Sequence, residues 1–247
     1  MKKLFLALTG CLTLTVACNL GVPTPGNESA QTVTPLAPPG LESSTPAFFS
    51  TESSPSTPVP PPPYFTEEFD IPSPYWKFLQ AAGGQAPSIS TGNGSLRIDQ
   101  SSPDAWMIGI QVVHSYSNVF IRAKASVKPG GSVGLICRYN ESSGWYEFNV
   151  ASDGTYSLLL GQWLSPGVVK YIPLVRDGHK FSILDPGIEL GLFCEDGFLH
   201  LYLDGSAIRH FDATNYGLTS GNVGFAAASF TEIPMTATLE WISIKDK

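Results

Sequence analysis

"VGLICRYNESSGWYEFNVASDGTYSLLL", residues 133–160, carries two alternating runs and two turn signals in close succession. Residues 133–139 and 145–150 alternate between two sets of side chains, and Asn140-Glu-Ser-Ser-Gly144 joins them. A turn signal, Asp153-Gly154, follows at once. A period of two with turn residues between the runs predicts antiparallel strands, because successive side chains of a strand point to opposite faces. Trp145, Glu147 and Asn149 then share one face, and Tyr146, Phe148 and Val150 the other. On the preceding strand Val133, Leu135, Cys137 and Tyr139 oppose Gly134, Ile136, Arg138 and Asn140.

The same pattern spreads in both directions. Residues 94–99 and 119–127 alternate, and 188–194, 198–203 and 207–211 read as a meander. Residues 221–230 and 237–244 close the chain as strands. In the middle of the meander Leu199, Leu201 and Leu203 form the predicted core face, with Phe198, His200 and Tyr202 opposite. Asn93-Gly94, Asp153-Gly154, Asp177-Gly178, Asp196-Gly197 and Asp204-Gly205 are dipeptides that tolerate the positive φ of tight hairpins. Sustained helical spacing is missing throughout. Many short antiparallel strands in a region of this size predict an all-β domain, a two-sheet sandwich or jelly roll, over residues 64–247.

The N-terminal part is of another kind. Lys2 and Lys3 precede an apolar run that ends in small residues, so residues 1–17 read as an export signal. Thr15-Val16-Ala17-Cys18 is similar to a bacterial lipobox, which predicts a diacylglycerol on Cys18. Leu8-Thr9-Gly10-Cys11 fits that pattern better residue by residue, since the pattern favours Leu where Thr15 stands, but it leaves a very short apolar segment, so Cys18 is preferred. Lipid chains stabilise membrane attachment by about 0.8 kcal/mol for each buried methylene. Residues 18–63 are rich in Pro, Ser and Thr and end in Pro60-Pro61-Pro62-Pro63. Such a composition buries too little apolar surface to fold, which predicts a disordered tether. The expected location is outside the cytoplasm, on the bacterial cell membrane, facing the exterior or periplasm.

With a formal net charge of −7 and no basic patch, nucleic acid is an unsuitable partner. Setting aside Cys11 and Cys18, the remaining pair, Cys137 and Cys194, is either a disulfide or two buried thiols; an oxidising compartment favours the disulfide. His114, His179, His200 and His210 show no metal-ligand spacing, and hairpin geometry accounts for the acidic turns without calcium. No cofactor and no metal are expected.

Leu135-Ile-Cys-Arg-Tyr139, Ser152-Asp-Gly-Thr-Tyr156, Leu192-Phe-Cys-Glu-Asp-Gly197, Leu201-Tyr-Leu-Asp-Gly205, Gly221-Asn-Val-Gly-Phe225 and Leu239-Glu-Trp-Ile-Ser-Ile244 together resemble the concanavalin A-like lectin/glucanase (LamG-like jelly-roll) domains of bacterial exported and lipid-anchored proteins. The resemblance covers residues 65–247. It implies a two-sheet jelly roll and a disulfide between Cys137 and Cys194. It says little about function, because the superfamily hosts lectins, glycosidases and inert adhesion modules.

Glucanases of this fold carry Glu-x-Asp-x-x-Glu on one face of one strand, since glycoside hydrolysis needs two carboxyl groups across the scissile bond. The analogous strand here offers Glu147, with Asn149 where a second carboxylate is wanted. Glu67, Glu68 and Asp70, and the Glu195-Asp196 turn, form no such pair. On these grounds the chain is expected not to be an enzyme, and no residue is assigned a catalytic role. If Cys137 faces the core, Arg138 faces outward with Trp145, Glu147 and Asn149, and Tyr156 and Trp163 extend the platform. A flat aromatic ring beside Arg, Glu and Asn suits sugar recognition, with CH–π stacking on the ring face and hydrogen bonds to hydroxyls. The expected ligand is a glycan or envelope polysaccharide. The alternatives are a glycosidase of this fold, with a second carboxylate converging on Glu147, and a structural module with a protein partner.

Overall fold

The computed structural model describes residues 59–128, 130–178 and 187–246. The expected signal segment, Cys18 and the tether up to residue 58 lie outside the described residues. The chain enters through Pro61 and Pro63, whose carbonyls accept hydrogen bonds from His114 Nε2 and the Tyr116 hydroxyl. The last tether residues are thus fastened to the sandwich.

Alternating residues become strands in chain order: β1 (Phe65–Glu67), β2 (Trp76–Ala82), β3 (Ser88–Thr91), β4 (Leu96–Gln100), β5 (Trp106–Gln111), β6 (Val119–Val127), β7 (Gly131–Asn140) and β8 (Gly144–Ala151). After them come β9 (Thr155–Ser165), β10 (Val168–Gly178), β11 (Ile188–Glu195), β12 (Phe198–Leu203), β13 (Ser206–Asp212), β14 (Asn222–Ser229) and β15 (Met235–Lys245). The sole helical element among the described residues is a single 3-10 turn, Thr214–Tyr216. All described pairings are antiparallel. One sheet runs β13-β12-β11-β6-β15-β4-β3, with β1 on β15; the other runs β10-β9-β8-β7-β14-β5-β2.

The meander is as expected. Leu199, Leu201 and Leu203 are buried between the sheets, and Asp196-Gly197 and Asp204-Gly205 turn with both residues at positive φ. Asp177-Gly178 departs from expectation: it stays in register at the end of β10, opposite Tyr156 and Thr155.

The inter-sheet core is built from one face of each strand, including Tyr146, Phe148 and Val150 of β8, Leu135 of β7 and Phe225 of β14. Cys137 of β7 is bonded to Cys194 of β11, a link between the two sheets through this core. A cross-link spanning 57 residues removes unfolded-state entropy worth about 4 kcal/mol on the chain-entropy model. The double substitution Cys137→Ala/Cys194→Ala should therefore lower the unfolding free energy by about 3–4 kcal/mol, read from the denaturant midpoint. An unchanged midpoint would show that the bond adds nothing the packed sheets do not already hold.

Candidate functional site

On the outer face of the seven-stranded sheet the strand residues do not simply meet solvent. Ile108 and Ile110 of β5, Ile136 and Tyr139 of β7, Trp145 of β8 and Ala226 of β14 form a second buried cluster there. Trp106, Trp163, Val169 and Tyr171 pack over it. Curling of the sheet makes this closure possible: β2 and β10, its opposite edges, approach within 8 Å between Cα atoms. Glycines make the room. Gly161 lies opposite Trp145 across the β8–β9 ladder, and a Cβ there would stand 2.4 Å from the indole. Gly134 lies opposite Asn149, where a Cβ would meet the amide oxygen at 2.2 Å.

Glu147 sits beneath this layer with 0% of its surface exposed. Four donors from three strands close on its carboxylate. Trp106 Nε1 and Asn149 Nδ2 donate to Oε1 at 2.9 and 2.7 Å. Trp145 Nε1 and the Tyr171 hydroxyl donate to Oε2 at 2.9 and 3.2 Å. Burial pushes the Glu147 carboxyl above its usual range, and the four hydrogen bonds pull the other way without cancelling it. Tyr171 is raised well above the usual phenol range by burial and by the neighbouring Glu147 charge, so it stays a donor.

Beside this network a cavity of about 500 Å³ opens. Trp106 and Tyr171, with ring centroids 4.5 Å apart and planes tilted by 30°, form one wall. Ser132 and Asn149 lie in its lining, and Asp153 and Arg176 are its exposed charged groups. Ser132 and Asn149 are 2% and 3% exposed, and Ser132 Oγ and Asn149 Oδ1 have no hydrogen-bond partner in the protein. Unpaired buried polar atoms are uncommon, and these two belong to residues that line the cavity.

Four of the six residues expected on a sugar platform lie on this face: Trp145, Glu147, Asn149 and Trp163. Trp145 and Glu147 are sealed rather than exposed, and Trp163 packs on Trp145 while donating to the Tyr139 hydroxyl at 3.1 Å. The other two do not join. Arg138 has φ 53 in a bulge of β7, where the ladder to β8 jumps from Cys137 to Asn140. The extra residue reverses the alternation, so Ile136 and Tyr139 share the outer cluster and Arg138 does not face outward. Its guanidinium donates instead to the Leu218 and Ser117 carbonyls, and burial lowers its pKa. Tyr156 belongs to the inter-sheet core against Phe148. Trp106 and Tyr171, the aromatic wall of the cavity, were not singled out from sequence. The signal available for Tyr171 was its place in the apolar-polar run Val169-Lys-Tyr-Ile172.

No family model and no curated protein matches the sequence. Solved structures do match the fold. The beta-glucanase of Bacillus licheniformis is 13% identical, with a TM-score of 0.53 over 74% of this chain and 98% of that one. A glycoside hydrolase family 16 endo-glucanase from Bacteroides ovatus is 10% identical, with a TM-score of 0.53 over 73% and 99%. The kappa-carrageenase of Pseudoalteromonas carrageenovora is 11% identical, with a TM-score of 0.51 over 77% and 98%. The fold is therefore the concanavalin A-like jelly roll, as the resemblance implied. The expectation that the chain is not an enzyme is overturned by the same neighbours, most of which are glycoside hydrolases. That expectation rested on the missing Glu-x-Asp-x-x-Glu spacing, and one strand's motif is too narrow a basis for excluding a reaction class on this fold.

The Glu147 network sets two expectations for stability. Glu147→Gln places an NH₂ against inward-pointing donors and should cost about 2–4 kcal/mol in denaturant unfolding. Because the Glu147 pKa is raised on folding, the native state holds the proton where the unfolded chain has lost it. Stability should fall as pH rises from the ordinary carboxylate range through the raised value, and this decline should vanish in Glu147→Gln. Asp99, Asp153 and Asp212 have lowered pKa values, led by hydrogen bonds from Arg97, Thr155 and Thr214 respectively, and their contribution is lost as pH falls through those lowered values. A stability profile flat across both windows in the native sequence would contradict these assignments.

Proposed function

We propose that the chain is an exported, lipid-anchored protein of the bacterial cell envelope whose sandwich engages a glycan at the Trp106–Tyr171 cavity. The observation that carries this reading is the pairing of that aromatic wall with two unsatisfied buried polar atoms, Ser132 Oγ and Asn149 Oδ1. Sugars offer both an apolar ring face and hydroxyl groups, and this cavity offers a partner for each. Asp153 and Arg176 supply further hydrogen bonds from the exposed side. The glucanases and the carrageenase that share the fold act on polysaccharides, which supports a polymeric ligand rather than a free monosaccharide. Export and anchoring are supported by Lys2, Lys3, the apolar run to Ala17 and the lipobox-like residues before Cys18. Two or more acyl chains at Cys18 would hold the protein stably on a bilayer.

A polysaccharide panel that includes mixed-linkage glucan and carrageenan tests the reading, with retention and products measured together. Retention on at least one polymer is expected, weakened at least about tenfold by Tyr171→Ala and by the exposed variants Asp153→Ala and Arg176→Ala, which leave the Glu147 donors Trp106, Trp145 and Asn149 in place. Retention on none, or retention indifferent to all three substitutions, would sink the proposal and favour a protein partner. New reducing ends lost in Glu147→Gln would assign turnover to that carboxyl. Mass spectrometry of membrane-extracted protein should find a diacylglyceryl group on Cys18, and an intact residue 1–17 segment would refute the anchor.

A further inference from the structure

The outer face of the other sheet carries a pair of imidazoles that the site above does not use. His200 of β12 and His210 of β13 are direct cross-strand partners, with Nδ1 atoms 3.1 Å apart. Leu199 and Leu201 on either side of His200 point into the core, so both rings lie on the outer surface. Their spacing in sequence hides the pairing. A regular hairpin closed by Asp204-Gly205 pairs Leu203 with Ser206 and Tyr202 with Ala207, which would put Arg209 opposite His200. One extra residue, Ile208, enters as a bulge between Leu201 and Tyr202 and moves His210 into that position. The rings are also supported from the side. Phe198 stacks on His210 at 5.0 Å with planes 22° apart, and Phe193 lies 5.5 Å from His200 at 31°.

We propose that His200 and His210 form a surface chelate for a divalent first-row metal ion that favours imidazole, Cu²⁺ above the others. In the metal-free protein one Nδ1 donates its proton to the lone pair of the other, so both nitrogens already aim at one region. With metal–nitrogen bonds of about 2.0–2.1 Å, nitrogens 3.1 Å apart subtend about 98° at the metal. That angle lies between the square-planar and tetrahedral values, which are the geometries such ions adopt. Binding displaces the proton shared between the two Nδ1 atoms, and the ring that loses it takes up a proton at Nε2, so both imidazoles bind in the neutral form. Among the described residues no third His, Cys, Asp or Glu joins a metal-binding group here. Cu²⁺ is the strongest binder of the divalent series for a given nitrogen site.

The test uses the full chain without a histidine tag and with free thiols alkylated, titrated with Cu²⁺ at neutral pH by calorimetry and electron paramagnetic resonance. One tight equivalent with two-nitrogen hyperfine structure is expected. His200→Ala and His210→Ala should each weaken it at least about tenfold, while His114→Ala leaves it unchanged. Metal-free melting curves of the two alanine variants should match the parent, and His200→Gln repeats the arm if one does not. Absence of a one-equivalent site, or a site that survives loss of both His200 and His210, would overturn the assignment. Loss of the site in His114→Ala alone would do so as well.

Discussion

One buried carboxylate holds the outer face of the seven-stranded sheet together. Glu147 on β8 accepts from Trp106 on β5, from Trp145 and Asn149 on its own strand, and from Tyr171 on β10. A carboxylate has about four lone-pair positions, and here all are taken. Its cost of burial is large, and only a complete set of donors offsets it. The donors in turn are fixed in direction: each indole has a single N–H, so Trp106 and Trp145 can satisfy Glu147 in only one pose. The aromatic layer is therefore positioned by a polar centre rather than by packing alone. The wall of the cavity is made from the same side chains, so the geometry offered to a ligand is set before any ligand arrives.

How far the sequence foretold this depends on the element. β6 and β12 match the expected runs residue for residue, because each has one face in the core and one toward solvent, and alternation reports that contrast directly. The disulfide across the sheets was implied by resemblance and is present. β5 and β10, which carry Trp106 and Tyr171, are not legible as strands from alternation. Trp106-Met-Ile-Gly-Ile-Gln111 is apolar almost throughout since both of its faces are covered, which removes the contrast that alternation needs. The outward placement of Arg138 failed for a different reason. A bulge changes parity by one residue, and neither composition nor periodicity marks which residue is the extra one. The bulge at Ile208 hid the histidine pairing in the same way.

The two outer faces differ in kind. That of the seven-stranded sheet curls over its own aromatic layer until its edge strands approach each other, with a cavity of about 500 Å³ beside that layer. On that of the other sheet the Phe120 ring contacts those of Phe193 and Tyr202, and the Arg122 guanidinium stands over Phe120 and Trp241. Solved structures that share this fold at low identity include hydrolases of several polysaccharides. The fold alone therefore does not assign a function, which has to be argued from the site.

The glycines opposite large side chains have a consequence for how such a sequence can drift. Gly161 faces Trp145, Gly134 faces Asn149, and in the core Gly109 faces Phe225, whose ring a Cβ would meet at 2.3 Å. Neither member of such a couple can change alone without a clash on one side or a void on the other. Substitutions that survive should therefore arrive in matched couples across the ladder, a small residue growing as its neighbour shrinks. Among descendants of this chain, covariation between positions 109 and 225, 134 and 149, and 145 and 161 would be the inherited trace of the sheet's strand pairing.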